Sequence, residues 1–135
     1  MTSDAIRVLL VDDHQMFSQS LRVVLEMEPD IEVVAISGTA ADAIAVAEER
    51  RPDVILMDYH LPDASGLTAT AAIAATDPES KVILLTGSDD PHIVGRAVEA
   101  GCVGYLEKAG SLDDLAPAVR AVAAGQVVIA ADHLR

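Results

Sequence analysis

Five side chains stand where short apolar runs end, and their types could do chemistry together. Asp12 and Asp13 follow Ile6–Val11, Asp58 follows Val54–Met57, Thr86 follows Val82–Leu85, and Lys108 comes just after Val103–Leu106. If the first and third runs are neighbours, the three carboxylates converge. Two such charges ~4 Å apart repel by roughly 4 kcal/mol at an effective dielectric of about 20, so a cation, a shared proton or wide spacing must relieve them. Magnesium suits such a site, since it takes one or two carboxylates and keeps waters and phosphate oxygens. Lys108 is one of only two lysines in the chain and could pair with Asp58 or with a phosphate placed on it. The Thr86 hydroxyl could donate to an anion at the same place.

Each of these residues also has a plainer reading. Asp12 and Asp13 could simply cap the first helix, where negative charge is favoured. Thr86 could be only a good strand former, and a strand-end lysine commonly points to solvent. His14 reads as a surface or capping neighbour, because no second His or Cys stands at metal-ligand spacing. Cys102 precedes an apolar run and reads as a small core residue. Several familiar chemistries are missing: no Gly-rich phosphate loop ending in Lys-Ser/Thr, no Gly-x-Gly-x-x-Gly after the first run, and no Gly-x-Ser-x-Gly elbow.

The elements that must position these groups follow from periodicity. Five apolar runs, Ile6–Val11, Ile31–Ile36, Val54–Met57, Val82–Leu85 and Val103–Leu106, alternate with helical segments. Phe17, Leu21, Val24 and Leu25 fall on one helical face, as do Ala40, Ala43, Ile44 and Ala47. The third helical segment, roughly 66–75, is Ala-rich and less directional. The fourth spans about Pro91–Ala100. The fifth spans about Leu112–Ala124, with Ser111 and Asp114 resembling a capping box and Pro117 in its first turns. Nearly unbroken apolar strands are expected where helices cover both faces of a sheet. The predicted fold is α/β: a doubly wound five-stranded parallel sheet with right-handed crossovers. In such sheets a ligand site lies beyond the carboxyl ends of the strands.

Composition narrows the partners. The chain has 135 residues, 22 acidic against 9 basic, for a formal charge of −13. It is 51% hydrophobic but only 2% aromatic, with Phe17, Tyr59 and Tyr105 and no Trp. That length fits one domain with a proper core. Nucleic-acid binding draws on Lys and Arg for phosphates and on aromatic faces for stacking, so this chain alone is not expected to bind DNA well. No apolar stretch is long enough to span a bilayer, the start lacks a secretory layout, and a lone cysteine suits a reducing cytoplasm.

Four motifs in this order resemble the receiver domain of two-component response regulators, over nearly the whole chain. They are Val-Asp-Asp-His at 11–14, Asp-Val-Ile-Leu-Met-Asp-Tyr-His-Leu-Pro-Asp-Ala-Ser-Gly at 53–66, Leu-Leu-Thr-Gly-Ser at 84–88 and Gly-Tyr-Leu-Glu-Lys at 104–108. The His after the acid pair, and Ala-Val-Arg-Ala-Val-Ala-Ala-Gly near the end, are similar to the NarL/LuxR-type subfamily. The resemblance implies a flavodoxin-like (βα)5 fold with strand order 2-1-3-4-5. It implies that Asp58 accepts a phosphoryl group from a histidine kinase, a phosphotransfer protein or a small phosphodonor. Asp12 and Asp13 would hold Mg2+ together with Asp58 and the backbone carbonyl of His60. Lys108 would bind a phosphoryl oxygen, Thr86 would move to hydrogen-bond it, and Tyr105 would change rotamer with Thr86. Ser88 and His60 occupy variable positions flanking the site. Ala109 stands where many receivers have Pro, which leaves the peptide geometry at Lys108–Ala109 open.

On this reading the chain is a switch that phosphorylates and dephosphorylates itself rather than a conventional enzyme. Residues 1–125 would form the receiver, and 126–135 a tail or the start of a linker. Homodimerisation on phosphorylation is expected, and DNA would be reached only through an output domain not in this sequence. Two alternatives stand beside it. One is a degenerate receiver that binds partners without phosphorylation. The other is a magnesium-dependent phosphohydrolase, but enzymes resembling the haloacid dehalogenase group need a second Asp two residues after the nucleophile, where this chain has His60.

Overall fold

Each apolar run becomes a strand whose side chains enter an apolar layer on either face. A computed structural model gives the structure, which describes residues 5–87 and 90–129. Ser88, and the part of the expected tail from 130 to 135, lie outside the described residues. The strands are β1 (Ile6–Val11), β2 (Ile31–Ser37), β3 (Val54–Asp58), β4 (Lys81–Thr86) and β5 (Gly104–Glu107). Between and after them lie α1 (Gln15–Glu26), α2 (Ala40–Arg50), α3 (Gly66–Thr76), α4 (Pro91–Ala100) and α5 (Leu115–Ala123). Every strand pairing is parallel, and the sheet order begins 2-1-3-4-5, as expected.

Strand alternation divides the core into two layers. Leu9, Val11, Ile55, Met57 and Leu84 face a layer completed by Ala43 and Ala47 of α2, Ile73 of α3 and Val94 of α4. Val8, Leu10, Leu56, Ile83 and Leu85 face the other, completed by Leu21 and Leu25 of α1 and Val119 and Val122 of α5. The central β3 is buried along its whole length. Arg120 of α5 ties its helix to the loop after α1, donating to Asp30 at 2.8 Å and also pairing with Glu28.

The structure departs from the sequence reading at two places near the end. The expected fifth helix is split: Leu112–Asp114 form a single 3-10 turn, and α5 proper begins at Leu115. Ser111 accepts from the Asp113 amide at 3.1 Å, so the capping box with Asp114 does not form. Pro117 is the third residue of α5, where no backbone donor is required. Beyond α5 the chain turns through Gly125 and adds a sixth strand, β6 (Val128–Ile129), parallel to β5. Val128 donates to the Val103 carbonyl at 2.8 Å, so this part of the expected tail belongs to the sheet.

Candidate functional site

Two candidate residues prove to be strand residues rather than residues after strands. Asp58 closes β3 opposite Leu85, and Thr86 closes β4 opposite Glu107. The ladder therefore fixes their backbones and delivers both side chains to the carboxyl edge. Asp12 follows β1 directly, with its amide donating to the Ser37 carbonyl at 2.9 Å. Lys108 follows β5, its amide held by the Thr86 carbonyl at 2.8 Å. No cis peptide bond occurs among the described residues, so Lys108–Ala109 is trans.

Asp12, Asp58 and Lys108 meet. The Lys108 Nζ lies 2.9 Å from Asp12 Oδ2 and 3.0 Å from Asp58 Oδ2. Both carboxylates are nearly excluded from solvent, whereas Asp13 is exposed. The lysine also lies over the Phe17 ring, 4.9 Å from its centroid, which gives the ammonium an aromatic floor. A carboxylate oxygen from each of Asp12, Asp13 and Asp58 and a ring nitrogen of His14 all lie within 4.8 Å of one another.

Neither acid caps α1. His14 occupies the cap position, and no side chain caps the helix. Asp12 Oδ1 instead accepts from the His14 amide at 2.7 Å, with the ring Nδ1 3.0 Å away, while Asp13 Oδ1 lies 3.4 Å from that nitrogen. The exposed His14 side chain is thus an unforeseen member of the acid cluster. Thr86 is buried at the edge of the site, whereas Tyr105 is set one step back, opposite Leu84, inside the layer with Ile93, Val94 and Ala97.

The electrostatics of this cluster favour added positive charge. Burial pushes the Asp58 carboxyl above its ordinary range; the Lys108 hydrogen bond opposes that push and the Asp12 charge adds to it. For Lys108, burial works against the charged form, but hydrogen bonds to Asp12 and Asp58 outweigh it and raise its pKa. Three carboxylates against one ammonium leave a net negative site. Its donors are mainly hard oxygens, which fit a hard divalent cation.

The loop after β3 is closed by backbone bonds. Tyr59 donates to the Leu85 carbonyl at 2.9 Å, Gly66 donates to the Tyr59 carbonyl at 2.7 Å, and His60 bridges Ser65. A side chain at Gly66 would stand 2.0 Å from the Asp58 carbonyl oxygen, so only glycine lets α3 start this close to the site. Ser65 caps α3 by accepting from Leu67 at 3.0 Å. The sequence reading missed Asp63, which reaches out of this loop to the start of α2. No local pattern could have revealed it, because its partners lie 22 and 23 residues away in the chain.

Known proteins are similar to this chain in sequence and in fold. The chain is 36% identical over 129 residues to the transcriptional regulatory protein DegU of Brevibacillus brevis, covering 96% of this chain and 55% of that protein. It is 41% identical over 123 residues to the response regulator protein VraR of Staphylococcus aureus, covering 91% of this chain and 59% of that protein. The chain therefore spans a little over half the length of these curated relatives. Among solved structures, a LuxR-family two-component response regulator from Aurantimonas sp. SI85-9A1 superposes with a TM-score of 0.91 at 31% identity, covering 96% of this chain and 92% of that one. The receiver domain of a NarL response regulator from Mycobacterium tuberculosis superposes with a TM-score of 0.88 at 29% identity, covering 91% and 99%. Among the described residues no helix is long and apolar enough to cross a membrane. A family model of the response regulator receiver domain matches residues 8–120, a span that contains every residue of the acid and lysine cluster, and the chain belongs to that family.

Proposed function

We propose that this receiver is a phosphorylation-driven switch in which Asp58 takes a phosphoryl group and passes the change to a transcriptional output. The observation that carries this reading is the buried Asp58 carboxylate, 3.0 Å from the Lys108 ammonium and grouped with Asp12 and Asp13. An Asp58 oxygen attacks the phosphorus of an acyl phosphate or a phosphohistidine. The bond from phosphorus to the leaving oxygen or nitrogen breaks, and the electron pair leaves with the acetate or the imidazole. Such transfer is mostly positioning and charge neutralisation. Asp12 and Asp13, with Asp58 and the His60 carbonyl, would hold Mg2+. When bound, that ion neutralises charge on the transferring group.

Lys108, already beside Asp58, would shift its hydrogen bond to a phosphoryl oxygen. The new acceptors would draw in the Thr86 hydroxyl, and Tyr105 would follow, since added charge and acceptors reorder nearby segments. A histidine kinase or phosphotransfer protein is the proposed donor, and the cytoplasm the proposed compartment. The receiver acts on itself and is not a conventional enzyme. DNA contact would belong to an output domain outside this sequence. A second copy is the proposed partner of the outer face of α1, where Met16, Val23 and Met27 are exposed at 88%, 62% and 75%.

Incubation with Mg2+ and acetyl phosphate, read by intact mass, tests the reading. One phosphoryl adduct on the wild type, absent in Asp58→Asn, is the expected result. No adduct from any donor, with no magnesium binding, rejects it, and steady turnover of a phosphate ester would point to a hydrolase instead.

A further inference from the structure

Asp63 joins two elements that the chain separates. Its Oδ1 accepts from the Ala40 amide at 2.8 Å and its Oδ2 from the Ala41 amide at 3.0 Å, the first two donors of α2. Thr39 serves the third, accepting from Asp42 at 3.0 Å. A helix start does not need such remote help, because its first amides are ordinarily met by a local cap or by water. Asp63 itself is solvent-exposed, and Thr39 is already a good cap. What the contact fixes is therefore the position of the loop.

That loop is the one carrying His60. Its neck is closed by the His60–Ser65 bridge, and its tip, residues 61–64, is anchored outward through Asp63. Two amide bonds to an ionised carboxylate at a helix N-terminus make a directional clamp, strengthened by the dipole of α2. The bonds also hold the Asp63 carboxyl below its ordinary range, so the clamp is engaged at neutral pH.

We propose that Asp63 is a positioning residue that clamps the loop after β3 onto α2 and thereby presets the His60 carbonyl for the divalent cation. The inference rests on the proposed role of that carbonyl. Groups that hold a metal ligand in place typically matter about 10–100-fold in affinity. Releasing the clamp should lie at the low end, about tenfold, because the neck of the loop stays closed.

Calorimetric titration of the chain with Mg2+ tests this, using Asp63→Ala, Asp63→Asn and Thr39→Val. The Thr39 variant strips a cap from the same helix without touching the loop. Asp63→Ala should weaken Mg2+ binding about tenfold, with Asp63→Asn between it and the wild type. Adduct formation from acetyl phosphate should slow at low Mg2+ and recover at saturating Mg2+. Thr39→Val should lower the thermal midpoint while leaving Mg2+ affinity within about twofold of the wild type. Wild-type affinity in Asp63→Ala, or equal weakening in Thr39→Val, overturns the clamp. A wild type that neither binds Mg2+ nor forms an adduct overturns the reading of the Asp58 site itself, and the clamp with it.

Discussion

Replacing Asp58 by Asn should make the metal-free protein more stable, although it removes a buried ion pair. The Lys108 contact at 3.0 Å is worth ~5 kcal/mol at an effective dielectric of about 20. Against it stands repulsion from Asp12, whose ligand oxygen lies within 4.8 Å and costs ~3 kcal/mol on the same scale. Desolvating the Asp58 carboxylate costs several kcal/mol more. The substitution gives up the first and removes the other two, while Lys108 keeps Asp12 at 2.9 Å. The balance is about 1–2 kcal/mol in favour of Asn, and the upward shift of the Asp58 pKa has the same sign.

For a chain of this length that is a rise in Tm of roughly 3–8 °C, readable by scanning calorimetry at neutral pH with chelator present. The pH dependence has a definite direction. A folded-state pKa above the unfolded one gives stability that is complete below the ordinary carboxylate range and lost as pH rises through the raised value. The gap between Asp58→Asn and wild type should therefore be widest above the raised value and close on acidification through it. Magnesium should narrow it by stabilising the wild type more. A variant less stable than wild type in chelator, or a gap that ignores pH, would refute the argument that the site is held under charge strain.

Three further outcomes follow from the same geometry. Lys108→Met leaves Asp12 and Asp58 facing each other without a cation. It should destabilise the chelated protein by about 2–4 kcal/mol in a denaturant melt, with much of the loss restored by Mg2+. Gly66→Ala forces a side chain onto the Asp58 carbonyl and should cost about 3 kcal/mol or more, seen as loss of cooperative unfolding in circular dichroism. Burial raises the Cys102 thiol to about 11. At pH 8 its thiolate is then about a thousandth of the total, and a disulfide reagent should react at a measurable rate only when denaturant opens the core.

The sequence made the sheet readable because β1, β3 and β4 are nearly continuous apolar segments, which only a two-sided burial explains. It placed strand ends early. Asp58 and Thr86 look like loop residues by polarity, yet ladder pairing carries both strands through them. Helix α3 lacked a clear apolar face in the pattern because alanines stand on its exposed side too, at Ala71 and Ala75, while Thr70 sits among the buried Leu67, Ala69 and Ile73 with its hydroxyl satisfied by its own helix at Gly66. The acid and lysine cluster was legible since all its members sit at strand ends, which the fold gathers. Whether Asp12 and Asp13 cap α1 was not, because that depends on where Asp12's oxygens point. Asp63 and β6 were invisible for a different reason: each is defined by a partner remote in sequence, and a two-residue strand has no periodicity to detect.

The small strand β6 has a consequence for direction. Because it runs parallel to β5, the chain reaches Ile129 travelling towards the same end of the sheet as Asp58, Thr86 and Lys108. Its hold on β5 is made by backbone groups opposite Gly104 and Tyr105, and Val128 packs against the apolar layer that α1 and α5 complete. A displacement of β5 at Tyr105 would be handed to the departing chain as a tug on its main chain. β6 is thus anchored on the strand that leads into Lys108, and it also covers backbone that would otherwise be an open sheet edge.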